Sequence, residues 1–249
     1  MRRAGLAIVG DREPGFDPHQ ATDAALRHTA AALGVRVEAR WVPTETLADG
    51  VAAIEDDDGV LIAPGAYASF AGALRAIRHA RERQVPMLGT CAGFQYVVIE
   101  YARSVLGFVD AEHAERKPDA SNLFVTPLAC SLVGQVLPID IEPGSRVAAA
   151  YGALHAEERY YCNFGLAPEH RRLLHDGGLR VVATDRDGEV RALELPAHPF
   201  FVATLFVPQA LSAPAHPHPL VSAFVEAATG GPNHTPRNGA DESVHHRTP

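Results

Sequence analysis

The stretch P-M-L-G-T-C-A-G-F-Q, residues 86–95, decides the reading of the fold. An apolar run (V-P-M-L-G-T, 85–90) leads into a cysteine between Gly89 and Gly93, and a helical pattern follows at once. Strand, sharp turn and helix in this order fit a G-x-nucleophile-x-G elbow, whose glycines avoid a clash with the neighbouring strand and helix. Such a turn lifts its central side chain out of the carboxyl edge of a parallel sheet, where ligands bind in open α/β folds. The helix read over about 92–106 aims the positive end of its dipole at the Cys91 sulfur, where negative charge is then stabilised. The competing reading is a small buried thiol, which describes most free cysteines.

The chain on either side supports a parallel sheet. G-L-A-I-V-G (5–10), R-V-E-A-R-W-V (36–42), the wholly apolar G-V-L-I-A-P (59–64) and residues 85–90 read as strands. Between them, residues 18–33, ending near Gly34, and residues 70–83 read as helices, with a short helix over 46–54. The alternation predicts an α/β fold of three layers, a mostly parallel central sheet with helices on both faces. The second half differs. Residues 133–142, 145–151, 179–184, 189–195 and 200–207 read as strands with few helices between them, as antiparallel additions to the same sheet. One domain is expected over 1–228. Residues 229–249, polar and rich in Gly, Pro and His, are expected to form a disordered tail.

Bulk properties narrow the function. The chain has 249 residues, 47% hydrophobic and 21% charged, enough for a sizeable core. A net charge of −8 argues against a nucleic-acid or anionic-membrane surface. No apolar run approaches the ~20 residues of a membrane span. The basic then apolar N-terminus is broken by Asp11, Arg12 and Glu13, too early for a secretory signal, so a cytoplasmic protein is expected. Three cysteines, Cys91, Cys130 and Cys162, are odd in number and widely spaced, which argues against a disulfide framework. No C-x-x-C or Cys/His cluster suggests zinc, and no cofactor is expected.

G-T-C-A-G-F-Q resembles the G-x-C-x-G-x-Q nucleophile turn of class I glutamine amidotransferases, and the wider context is most similar to the glutaminase domain of CTP synthase. D-G-V-L-I-A-P-G-A (58–66) resembles that family's strand and oxyanion loop, and residues 98–115 resemble the segment after its nucleophile helix. E-E-R-Y-Y-C-N-F (157–164) is similar to its R-Y-x-x-N stretch, and H-P-F-F-V-A-T-L-F-V-P-Q (198–209) to its H-P-W-F-V…F-H-P-E stretch. The resemblance implies a flavodoxin-like amidotransferase fold and a γ-glutamyl thioester formed on Cys91. It places an oxyanion hole at the backbone of Ala66 and Ala92, and an amino-acid grip at Gly65, Gln95, Glu115 and Arg159. A guanidinium suits an α-carboxylate and a carboxylate an α-ammonium. The implied partners are glutamine or a γ-glutamyl compound and an ammonia-accepting synthase chain. This sequence has no G-x-x-x-x-G-K-[ST] phosphate loop for the ligase half of that reaction.

The chain departs from the family at one place. Where the family has the His and Glu of F-H-P-E, this sequence has Val207 and Gln209. Valine accepts no proton, and glutamine carries no charge to orient an imidazolium. A general base contributes ~10²–10⁴-fold, so ordinary glutaminase turnover is compromised. His113, His155 and His198 are the histidines weighed as substitutes, and Cys162 reads as core or pocket wall. Two functions stand: an amidotransferase-type enzyme acting through Cys91, or a catalytically impaired module that binds an amino acid or a partner. A thiol or redox role for Cys91 is a third.

Overall fold

A computed structural model describes residues 2–230; the tail expected from 229 onward lies outside the described residues beyond Gly230. The first half follows the alternation. Strand β1 (Arg3–Val9) leads to α1 (Asp17–Leu33), which closes on Gly34 in the left-handed conformation, and then to β2 (Arg36–Val42). Strand β3 (Gly59–Ile62), α2 (Phe70–Glu82), β4 (Met87–Thr90) and α3 (Ala92–Ser104) follow. The helix expected over 46–54 is replaced by a 3-10 turn over Thr44–Leu47 followed by turns. Gly50 and the acidic run Asp56–Asp58 leave too little apolar periodicity there to sustain a helix.

Beyond α3 come β5 (Glu112–His113), β6 (Leu123–Pro127), β7 (Val136–Ile141), α4 (Arg146–Tyr151), β8 (His155–Arg159) and β9 (Phe164–Leu166). Next are α5 (Arg171–Asp176), β10 (Arg180–Thr184), β11 (Val190–Glu194), β12 (Phe201–Thr204) and α6 (Pro219–Ala228). The strand expected at 145–151 is a helix. Ser145 caps it by accepting the Ala148 N–H, and Gly152 ends it in the left-handed conformation. Caps and three consecutive alanines outweigh the apparent alternation.

Nine strands form one sheet in the order β2-β1-β3-β4-β12-β11-β10-β7-β8. The first five are parallel and the last four are added antiparallel, as expected for most of the second half. Strand β12 is the exception: it runs parallel to β4, with Thr204 opposite Thr90. A small second sheet, β5-β6-β9, was not foreseen. The β1-to-β2 and β3-to-β4 crossovers run in opposite directions along the sheet, so right-handed connections place α1 and α2 on opposite faces. Helices α1 and α6 pack together, as do α2 and α3.

The parallel pairing of β12 with β4 positions the site. Both strands end at the same carboxyl edge, so residues 205–209 emerge beside the Cys91 turn. Strand β8 is held from behind by a buried pair, His218 Nε2 to Glu158 Oε1 at 3.0 Å. Alternation along β8 then turns the neighbouring Arg159 to the other face.

Candidate functional site

Cys91 takes φ +54°, ψ −109°, a conformation that non-glycine residues rarely adopt. The turn holds because its backbone is tied on both sides. Cys91 N–H donates to the Thr204 carbonyl at 2.9 Å, and the Cys91 carbonyl accepts the Phe94 N–H at 3.1 Å. The glycines have measurable reasons. A Cβ at Gly93 would lie 2.5 Å from the Ile62 carbonyl oxygen, and one at Gly89 3.2 Å from the Gly93 backbone. The helix therefore seats directly on β3 and β4. Ala92 opens α3, and its N–H is one of the first-turn donors that a helix leaves without an intrahelical partner. Gly65 on the facing loop has φ +105°, and a Cβ there would press on His19 Nε2 at 3.1 Å. Ala66 follows it, exposed at the same edge.

The other segments named from sequence converge on the start of α3. Gln95 Nε2 donates to the Phe164 carbonyl at 2.9 Å, and its Oε1 accepts from His113 Nε2 at 3.0 Å. His113 Nδ1 accepts the Glu115 N–H at 3.1 Å, so the ring links Gln95 to Glu115. The Glu115 side chain is exposed and the Arg159 side chain half-buried, and neither makes a hydrogen bond or ion pair among the described residues. The Arg159 carbonyl accepts the Val207 N–H at 2.8 Å, tying β8 to the 205–209 turn.

Val207 is fully buried. Gln209 is a strut: its Nε2 donates to Thr22 Oγ1 at 3.1 Å and to Thr90 Oγ1 at 3.0 Å. Thr22 spends its own proton on the Pro18 carbonyl, so it offers Gln209 only lone pairs. The amide N–H groups meet the Thr22 lone pairs, which a carboxylate cannot, while the Gln209 Oε1 is buried without a partner among the described residues.

None of the three histidines weighed as substitutes hydrogen-bonds the Cys91 sulfur. His198 is buried and bridges the Ala80 carbonyl (3.0 Å) and the Phe200 N–H (3.2 Å). Burial pushes its pKa down. His155 is exposed and pairs with Asp140 at 2.8 Å, on the outermost strand pair. His113 is committed to Gln95 and Glu115. A fourth histidine escaped notice in the sequence, where it reads as an ordinary helix residue. His19 lies against the Gly65 loop, and both its ring nitrogens are occupied, Nε2 by the Pro64 carbonyl and Nδ1 by the Glu13 N–H. The contact that is made to the Cys91 sulfur comes from Cys162, whose Sγ lies 2.7 Å away and also 3.1 Å from the Leu205 carbonyl.

His113 gives the site a pH signature. Burial depresses its pKa from 6.5 to about 4; the Glu112 carboxylate opposes the shift and the Arg116 cation adds to it. In the unfolded chain the ring returns to about 6.5, so between these values the unfolded state binds more protons. The stability it contributes is complete above about pH 6.5 and is lost as pH falls toward 4, up to about 3 kcal/mol. Urea denaturation at stepped pH should show His113→Gln losing less stability over this interval than the parent, by up to that amount. Parallel curves would contradict the assignment.

The glutamine amidotransferase class-I family model matches residues 16–227. The chain is 38% identical over 220 residues to the CTP synthase of Methanopyrus kandleri and 40% identical over 225 residues to that of Rhodococcus jostii. Each match covers 82% of this chain but only 41% and 38% of those relatives, so the chain spans about two-fifths of their length. Among solved structures, the Trypanosoma brucei CTPS glutaminase domain with bound acivicin superposes with a TM-score of 0.82 at 26% identity, covering 90% of this chain and 93% of that one. With the elbow, the sheet order and these matches together, the chain belongs to the class I glutamine amidotransferase family, as a relative of the CTP synthase glutaminase domain.

Proposed function

We propose that this domain binds glutamine or a related γ-glutamyl compound and presents Cys91 to its side-chain carbonyl carbon. The observation that carries the reading is the strained Cys91 turn at the head of α3, at φ +54°. Arg159 pairs with the α-carboxylate and Glu115 with the α-ammonium, which fits their lack of protein partners. Gln95, already braced by His113 and Phe164, forms a fixed wall. The Cys91 sulfur attacks the γ-carbonyl carbon, and the new oxyanion is held by the Ala66 and Ala92 N–H groups. The intermediate then collapses to a thioester and expels the leaving group.

That last step is where this site differs. Expelling ammonia requires a proton on the departing nitrogen, and Val207 cannot deliver one. Leaving groups stable as anions need no such help, so activated γ-glutamyl compounds are the better substrates. Any ammonia released passes to a synthase partner, by analogy with relatives that are CTP synthases. A second reading, a binding module without turnover, is favoured by the burial of Val207 and the locking of the Gln209 amide.

The test is reaction with a glutamine diazoketone analogue, read by mass spectrometry, beside calorimetry with glutamine. Stoichiometric labelling of Cys91, absent in Cys91→Ala, is expected. Glutamine heat without labelling would leave only the binding module. Neither signal would overturn both readings.

A further inference from the structure

We propose that Cys91 and Cys162 form a redox-active dithiol, which a hydroperoxide oxidises to an intramolecular disulfide and a low-molecular-weight thiol reduces. Both are free thiols, buried, and 71 positions apart in the chain, yet their sulfurs approach to 2.7 Å. A disulfide is ~2.05 Å long, so the two sulfurs stand within about 1 Å of bonding distance.

The approach is built into the backbone rather than left to two mobile side chains. Cys91 N–H is bound to the Thr204 carbonyl at 2.9 Å, and the Cys162 carbonyl accepts the Leu132 N–H at 3.1 Å. The 205–209 turn lies between, with the Leu205 carbonyl on Cys162 Sγ and the Val207 N–H on the Arg159 carbonyl. A thiol thus stands against the sulfur that none of His19, His113, His155 and His198 hydrogen-bonds. Burial and the adjoining Cys91 keep Cys162 protonated, its pKa raised well above the ordinary thiol range. Oxidation of Cys91 to the sulfenic acid removes one of these two causes, so Cys162 gives up its proton more readily once Cys91 is oxidised.

The chemistry balances. The Cys91 thiolate attacks the outer oxygen of the hydroperoxide; an S–O bond forms, the O–O bond breaks, and the alkoxide leaves as the alcohol after taking a proton. The Cys91 sulfenic acid is then attacked by Cys162; the S–S bond forms, the S–O bond breaks, and water leaves with the Cys162 proton. Two thiols and one hydroperoxide give one disulfide, one alcohol and one water. Two equivalents of a small thiol restore the dithiol and become a small disulfide. While oxidised, Cys91 has no sulfur free for acylation, so the pair also switches the proposed site off. Cys130, exposed and on another segment, is an internal control for non-specific thiol oxidation.

The test is treatment of the full chain with hydrogen peroxide, followed by non-reducing digestion and mass spectrometry. A Cys91–Cys162 linked peptide that dithiothreitol removes is expected. In Cys162→Val, which keeps an apolar side chain of similar size, Cys91 should be trapped by dimedone as the sulfenic acid and should over-oxidise irreversibly about tenfold more at equal dose. Cys162→Ser is the second variant should the valine fail to fold, as judged by its melt. Over-oxidation of Cys91 in the parent without the linked peptide, or links made chiefly through Cys130, would overturn the proposal. No glutamine enters the assay, so the outcome is independent of the amino-acid pocket.

Discussion

Replacing Gly93 by alanine is expected to cost about 3 kcal/mol or more and to abolish labelling of Cys91 in whatever protein still folds. The new Cβ would sit 2.5 Å from the Ile62 carbonyl oxygen, a backbone atom of the central strand β3 that no rotamer change relieves. Helix α3 must lift from the sheet, taking with it the first-turn N–H donors and the turn that sets Cys91 at positive φ. Gly50→Ala is the matched control, because nothing lies within 4 Å of its added Cβ. It should stay within about 0.5 kcal/mol of the parent. Chemical denaturation of both variants, with labelling of the folded fraction, separates the effects. Equal stability of the two would mean that the close helix–strand seating is not what holds the elbow.

The second large effect is expected from rebuilding the pair that the family carries. Val207→His with Gln209→Glu should raise ammonia release from glutamine by about 10²-fold, the lower end of what a positioned base and acid supply. It should also lower stability. Val207 is fully buried, so an imidazole overpacks its site by about 1–3 kcal/mol. Gln209→Glu alone turns a carboxylate toward Thr22 lone pairs, leaving the Thr90 hydroxyl as the donor to it and the Thr22 lone pairs without one, at about 1–3 kcal/mol. In the double variant the carboxylate gains the imidazole as a partner, so its loss should be smaller than the sum of the two single losses. Gain of ammonia release together with a lower melting temperature is the expected pattern. A folded double variant with unchanged ammonia release would show that position 207 does not face the leaving group.

The parts of this molecule that were readable in its sequence are those fixed locally. The G-T-C-A-G turn is one: steric demands at Gly89 and Gly93 leave few other conformations, and the structure shows those demands as close contacts. The all-apolar strands β3 and β4 and the helices between them announce themselves by period and length. Residues 145–151 misled because V-A-A-A-Y carries no strong period, while the deciding signals, Ser145 and Gly152, lie at its ends. Sheet β5-β6-β9 was invisible because its strands are two to five residues long and β9 pairs with β6 from about 40 residues away. The site shows the same division. Cys91 is singled out by its own turn, whereas Gln95, Glu115 and Arg159 are named only through the resemblance to the amidotransferase family, and their grip on an amino acid is part of the proposed function. The locking of Gln95 by His113 joins α3 to β5, the occupation of His19 joins α1 to the loop after β3, and the meeting of Cys162 with Cys91 needs the segments after β8 and β12 at one edge; no local pattern encodes any of these three contacts.

On the proposed function, Cys91 is displayed as a nucleophile but lacks a proton donor for departing ammonia. Rapid mixing of the reduced protein with the γ-nitrophenyl ester of glutamate, beside ammonia release from glutamine, measures this directly. A nitrophenolate burst of one equivalent per chain, lost in Cys91→Ala, is expected, with glutamine turnover at least about 10²-fold slower than acylation by the ester. Comparable rates for the two substrates, or no burst from the ester, would contradict it.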